Sequence, residues 1–156
     1  ASSAGRLFDA VSACLGLCPD RQSYEGEAAM RLEAMATAAA PWPFDLDGGE
    51  MDPAPGFRAL RAGIWPDPAS AAGGFQAGLA QAFAHRARAL VETGEARAVA
   101  LSGGCFQNAA LLRLTCAALE GLPVLTHRAT PANDGGLALG QSVIAAARHG
   151  SAAEAS

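Results

Sequence analysis

Two short polar turns hold the residues of this chain best suited to chemistry. One is Ser102-Gly103-Gly104, followed by Cys105 and Asn108; the other, about thirty residues on, is Asn133-Asp134-Gly135-Gly136. Each follows a short apolar run and opens a helix. Paired glycines let the backbone bend sharply and bring N–H groups close to an anion, and a helix N-terminus favours negative charge. Two such bends in one small domain predict a two-sided cradle for a nucleotide.

Each residue also has a plainer use. Gly103-Gly104 can be a tight strand-to-helix turn, and Asn108 can cap the following helix or reach a ligand. Asp134 can cap its helix, or ligate a hard cation that bridges to phosphate. Two glycines directly after Asp134 are more than a cap requires. Asp9 lies beside the apolar pair Leu7-Phe8 and either faces solvent or holds something specific. Gly26, after Tyr24-Glu25, permits close approach of a ribose or simply starts a helix. Cys105 reads as packing. His85 reads as a solvated residue, and His127, just past a strand, reads more readily as surface than as cleft. The three histidines show no metal-ligand spacing.

The elements that must position these residues follow from periodicity. Leu7, Phe8, Val11, Cys14 and Leu15 predict a helix over Gly5–Leu17, stopped at Cys18-Pro19-Asp20. A second helix is expected over 26–39, with Met30, Leu32, Met35 and Ala36 as its apolar stripe. Residues 41–66 read as a peripheral insertion, with a small hairpin around Asp47-Gly48-Gly49 and a short helix near 56–62. A long helix is expected over 69–93, weakened early by Gly73, Gly74 and Gly78. Then come strand 98–101, helix 108–119, strand 123–126 and helix 135–148. That β-α-β-α order signals a parallel sheet covered by helices, an α/β class. Residues 1–150 therefore read as one lobe, with 151–156 as a tail.

Composition narrows the function classes. The chain has 156 residues and a net charge of −4, with no basic patch that would recommend nucleic acid. All 11 basic residues are arginine, which excludes a P-loop lysine, a Schiff-base lysine or a lysine base within this sequence. No apolar run approaches membrane-spanning length. The four cysteines form no paired CxxC pattern and no signal peptide precedes them, so reduced thiols in a cytoplasm are expected, with Cys14 and Cys116 on apolar helix faces. The start without methionine suggests a piece of a longer chain.

Several motifs together resemble a known family. Gly5-Arg6-Leu7-Phe8-Asp9-Ala10, Tyr24-Glu25-Gly26-Glu27-Ala28-Ala29, Leu101 through Asn108, and Pro131 through Gln141 are similar to the C-terminal part of the hydrogenase maturation carbamoyltransferases, the HypF family. The resemblance runs from Gly5 to Arg148. It implies the C-terminal lobe of an actin/sugar-kinase/Hsp70-like (ASKHA) fold. It also implies that a separate YrdC-like domain makes carbamoyl-adenylate from carbamoyl phosphate and ATP. This domain would then pass the carbamoyl group to the C-terminal cysteine of a HypE-type acceptor, for the cyanide ligand of a [NiFe] centre.

By the same resemblance, Asp9 and Gly26 would bind ribose and adenosine, with Gly103, Gly104 and Asn108 completing the wall. Asp134 would contribute one ligand to a divalent metal ion (Fe, Zn or Mg), whose histidine ligands belong to an upstream lobe. Without that lobe the isolated chain is expected to be inactive or weakly binding. Cys105, Ala4, Glu27 and Gln76 depart from the residues usual in the family. Three alternatives stay open: a non-catalytic nucleotide-binding module of the same fold, an O-carbamoyltransferase acting on a small molecule, and a phosphotransferase lobe.

Overall fold

The computed structural model describes residues 3–154. Helix α1 spans Ala4–Cys14 and α2 spans Glu27–Met35; α3 covers Ala54–Arg61 and α4 Pro68–Glu92. Strand β1 (Val99–Leu101), helix α5 (Ala109–Ala118), strand β2 (Val124–Thr126) and helix α6 (Leu137–Glu154) complete the order. The expected β-α-β-α unit is present: β1 and β2 pair in parallel, with Leu101 opposite Thr126. Helices cover one face of this two-stranded sheet, where Leu101 packs with Ala84 and Leu119. The face carrying Ala100 and Leu125 is open, and Leu125 is 61% exposed.

Helix α4 is the spine. Its Asp67 cap accepts from the Ser70 N–H at 2.8 Å while Ser70 Oγ accepts from the Asp67 N–H, and Pro68 follows at the first helical position. Phe75 and Leu79 are buried against Phe8, Val11, Leu32 and Leu111, and Phe8 meets Phe75 edge-to-face at 4.9 Å. Arg88 closes the far end by donating to the carbonyl of Ala118, the last residue of α5, and to that of Glu120 just beyond it.

The glycines of α4 serve packing. Helix α2 stops at Met35, earlier than its periodicity suggests, because residues 36–42 run extended along α4. The Thr37 N–H donates to Ala69 O at 3.0 Å and the Trp42 N–H to Gly74 O at 2.9 Å. A side chain at Gly73 would collide with the Thr37 carbonyl, and one at Gly78 with Trp42 backbone.

Residues 41–66 are accordingly less peripheral than expected. Trp42 and Trp65 are buried and stacked at 5.5 Å, and Trp65 Nε1 donates to Ala40 O at 2.9 Å. Their aromatic area is worth more in the core than the prolines beside them suggest. Only the stretch between keeps the expected hairpin character, as an antiparallel bridge of Asp45 with Asp52. Two smaller expectations change as well. Met30 is 58% exposed rather than part of a buried stripe, and Cys14 is exposed at the end of α1. All four cysteines are free thiols. Helix α6 continues to Glu154, so the described part of the expected tail is helical, and residues 155–156 lie outside the described residues.

A buried hydrogen bond joins helices α1 and α2, and a charged group fixes the start of α2. Ser12 Oγ donates to Ala28 O at 3.1 Å. Glu27 opens α2, accepts the Ser23 N–H at 2.6 Å and pairs with Arg31 at 2.6 Å. The Ser23 N–H first, and the Arg31 charge after it, hold the Glu27 carboxyl below the usual glutamate range, against the opposing effect of burial.

Two predictions follow from this packing. In an open helix Gly→Ala stabilises by up to about 1 kcal/mol; at Gly73 the sign reverses, and Gly73→Ala costs about 1–3 kcal/mol or more by overpacking, read from denaturant midpoints. Because Glu27 has a depressed folded pKa, its contribution is complete above the ordinary glutamate pKa and is lost as pH falls through the lower folded value. Thermal unfolding of wild type should therefore fall more steeply on acidification than that of Glu27→Gln; parallel profiles would contradict this.

Candidate functional site

The sheet pairing delivers both polar turns to one place. Ser102 directly follows β1 and His127 directly follows β2, so both following turns leave the carboxyl edge of the sheet. The Gly103 N–H donates to Ala132 O at 2.8 Å, which ties the first bend to the approach of the second. A single open cavity of about 1300 Å³ lies beside them. Its walls are the start of α1, the 22–26 turn with α2, the 103–108 bend, and Asn133-Asp134. Asp9, Gly26, Gly103, Gly104, Asn108 and Asp134 all line it.

The first bend is built on glycine for a conformational reason. Gly103 has φ 101° and ψ 157°, a region closed to other residues. Gly104 is different: a side chain there would meet nothing within 4 Å, so the space above it belongs to the cavity. Its N–H has no acceptor among the described residues. The helix behind is partly capped. Asn108 Oδ1 accepts the Leu111 N–H at 2.7 Å, and Glu33 Oε1, reaching across from α2, accepts the Ala110 N–H at 3.1 Å. Asn108 Oδ1 is thus the cap of α5, and the Gly104 bend lines the cavity in front of it. Asn108 Nδ2 is buried and has no partner among the described residues.

The second turn is a short 3-10 turn over Asp134–Gly136. Here Asn133, not Asp134, is the cap, its Oδ1 accepting the Gly135 N–H at 3.1 Å. That leaves the exposed Asp134 carboxylate without a hydrogen bond or ion pair among the described residues. Gly135 is required by space, since a Cβ there would stand 2.9 Å from the Pro131 ring. No group of three or more His, Cys, Asp or Glu that could hold a metal occurs among the described residues. Asp134 has the chemistry of one oxygen ligand, and the remaining donors would have to come from outside this chain.

Asp9 is held in place. Gln22 Nε2 donates to Asp9 Oδ1 at 2.9 Å, while Gln22 Oε1 accepts the Ala28 N–H at 3.2 Å, so one loop side chain links the carboxylate to α2. Gly26 starts α2 with φ 79° and open space above it. Cys105 is half-buried, and burial pushes its thiol up from the ordinary range, which agrees with a packing role. Sequence reading missed Gln22 and Glu33, whose polar contacts run between elements that periodicity treats separately. His127 is exposed, as its place past the strand suggested, and it bonds Ser102 at the head of the first bend, a contact that no spacing in the sequence signals.

With this geometry in view, the comparisons with known proteins are specific. A family described as "Carbamoyltransferase, Kae1-like Domain, second subdomain" matches residues 1–141. The chain is 60% identical over 149 residues to carbamoyltransferase HypF of Rhodobacter capsulatus, covering 94% of this chain and 20% of that protein. It is 38% identical over 148 residues to HypF of Rhizobium leguminosarum bv. viciae, covering 92% of this chain and 19% of the relative. Among solved structures, a full-length HypF in a phosphate- and nucleotide-bound form superposes with a TM-score of 0.81 at 31% identity, over 92% of this chain and 20% of that one. HypF of T. kodakarensis gives 0.79 at 29% identity, over 90% and 19%. The chain therefore spans about a fifth of these relatives. It belongs to the HypF carbamoyltransferase family, an enzyme family, as the second subdomain of the Kae1-like domain.

Proposed function

We propose that this lobe binds the adenylate half of carbamoyl-adenylate and works with an upstream lobe to transfer the carbamoyl group to a HypE-type acceptor thiol. The observation that carries this reading is that all six residues assigned to nucleotide or metal line one open cavity. On this reading Asp9 and Gly26 face ribose and adenosine, and Gly104 offers an N–H toward the phosphate. ATP enters through the adenylate that it forms elsewhere in the polypeptide.

The chemistry suits the donors. Carbamoyl-adenylate is a mixed anhydride. As the acceptor sulfur, having lost its proton as a thiolate, bonds the carbamoyl carbon, the bond from that carbon to the phosphate oxygen breaks and AMP leaves with the electron pair. Preorganised donors aimed at that phosphate stabilise the charge that gathers there. Asp134 would hold a divalent metal ion together with ligands from the other lobe, and such an ion supplies Lewis-acid stabilisation of phosphate charge. Residues of this chain alone do not complete that site.

The uncovered surfaces support a partner within the same polypeptide. Leu137, Leu139, Val143 and Ile144 on α6 are each more than half exposed, as is Leu125 on the open sheet face. Several large apolar side chains left exposed on one helix and an open sheet face suit contact with another part of a protein. The missing first lobe is the occupant we assign to it. A cytoplasmic setting without nucleic acid fits the four free thiols and the charge of −4, and no helix of the described residues is long and apolar enough to cross a membrane.

In the full-length protein, Asp134→Ala should abolish carbamoyl transfer to the acceptor while adenylate formation from carbamoyl phosphate and ATP continues; equal transfer rates in mutant and wild type would refute its role. Gly104→Val should leave the unfolding temperature near wild type, because the added side chain enters open space. Calorimetric binding of an adenylate analogue at this site should be lost, and unchanged binding would remove the bend from it.

A further inference from the structure

We infer that His127 is a positioning residue, whose bonds to Ser102 and Thr130 hold the Gly103-Gly104 bend and the Asn133-Asp134 turn at a fixed separation, so that both address the same phosphoryl group. This rests on the adenylate reading above.

Leu101 and Thr126 are the last paired residues of β1 and β2, and the next residues in register are Ser102 and His127. There the side chains take over from the backbone: His127 Nε2 lies 2.9 Å from Ser102 Oγ. The other ring nitrogen, Nδ1, lies 3.1 Å from Thr130 Oγ1, which closes the 127–130 loop back on itself. A neutral imidazole has one donor and one acceptor nitrogen, and a hydroxyl serves either, so both bonds can be made at once. The Gly103 N–H to Ala132 O bond is the second tie between the same two stretches. One tie is side chain and the other backbone, and they flank the point where the chain turns toward the cavity.

These bonds do little for the fold as a whole. Ser102 and His127 are exposed, and exposed hydrogen bonds compete with water and add little net stability. What they restrain is local. A sheet of two strands, each three residues long, has little stiffness of its own at its edge. Gly103 and Gly104 add backbone freedom at the same point. Without a clamp, the 102–104 bend and the 127–134 loop would move independently. Gly104 belongs to one of the two tied stretches and Asp134 follows the other, so their spacing depends on the clamp.

The test uses the full-length protein with AMP, adenosine and magnesium, scoring by calorimetry the component of nucleotide binding that Gly104→Val removes. His127→Ala should weaken AMP at that site by roughly tenfold or more, the scale on which supporting hydrogen bonds orient a ligand set. Adenosine, which lacks the phosphate, should bind as in wild type, and the unfolding temperature should hold. Ser102→Ala should act in the same direction, and the double variant should be no worse than the stronger single one. His127→Gln, which keeps a donor and an acceptor, should recover part of the loss. Equal loss of AMP and adenosine, or unchanged AMP binding in His127→Ala, would overturn the inference. Absence of any Gly104→Val-sensitive AMP binding in wild type would overturn the adenylate reading itself, and the inference with it.

Discussion

Parallel pairing of Val99–Leu101 with Val124–Thr126 determines where everything else in the site can stand. Parallel strands end on the same edge, so the chain must cross back through a helix between them, and α5 is that crossover. The turns after the two strands then emerge side by side. Reversing either strand would send one glycine pair to the opposite end of the molecule. The Gly103 N–H to Ala132 O bond and the Ser102–His127 contact extend this pairing beyond the ladder. Helices α1 and α2 supply the remaining walls, and they reach the cavity because α4 holds them through Phe75 and Leu79.

Much of this was legible in the residues. The β-α-β-α order follows from two short apolar runs, each separated from a helix by glycine and a polar cap, and the structure has that order. Gly103, Gly104, Asn108 and Asp134 stand out by their place after strands and at helix starts, Asp9 and Gly26 take their roles from the family resemblance, and all six positions share one cavity. The rest was hidden because it depends on contacts across long sequence separations. Gly73 and Gly78 look like helix weaknesses until residues 37–42 are laid against them. Trp42, flanked by prolines, looks peripheral until α4 and Trp65 are seen to enclose it. Asn108 was open between cap and ligand; its Oδ1 caps α5 through the Leu111 N–H, while its Nδ2 has no partner among the described residues. His127 carried no spacing signal at all. Its partner, Ser102, is 25 residues away in sequence and adjacent only through strand register.

What the chain presents is one wall of a site. Asp134 offers a single carboxylate in a region where no three metal-ligating side chains gather among the described residues. Helix α6 shows Leu137, Val143 and Ile144 to solvent, and the sheet shows Leu125. A chain that spans about a fifth of its HypF relatives would be expected to leave such surfaces to the remainder of the polypeptide. On the proposed reading, a second lobe would supply the missing cation ligands and cover α6.

Everything proposed turns on whether the two bends converge on a single phosphate. A crystal structure of the full-length protein with a non-transferable adenylate analogue and a divalent cation tests that directly. The account predicts the phosphate within hydrogen-bond reach of the Gly104 amide, with the cation on Asp134 and on ligands from the facing lobe. An analogue bound with its phosphate remote from both turns, or a cation site that leaves Asp134 free, would contradict it.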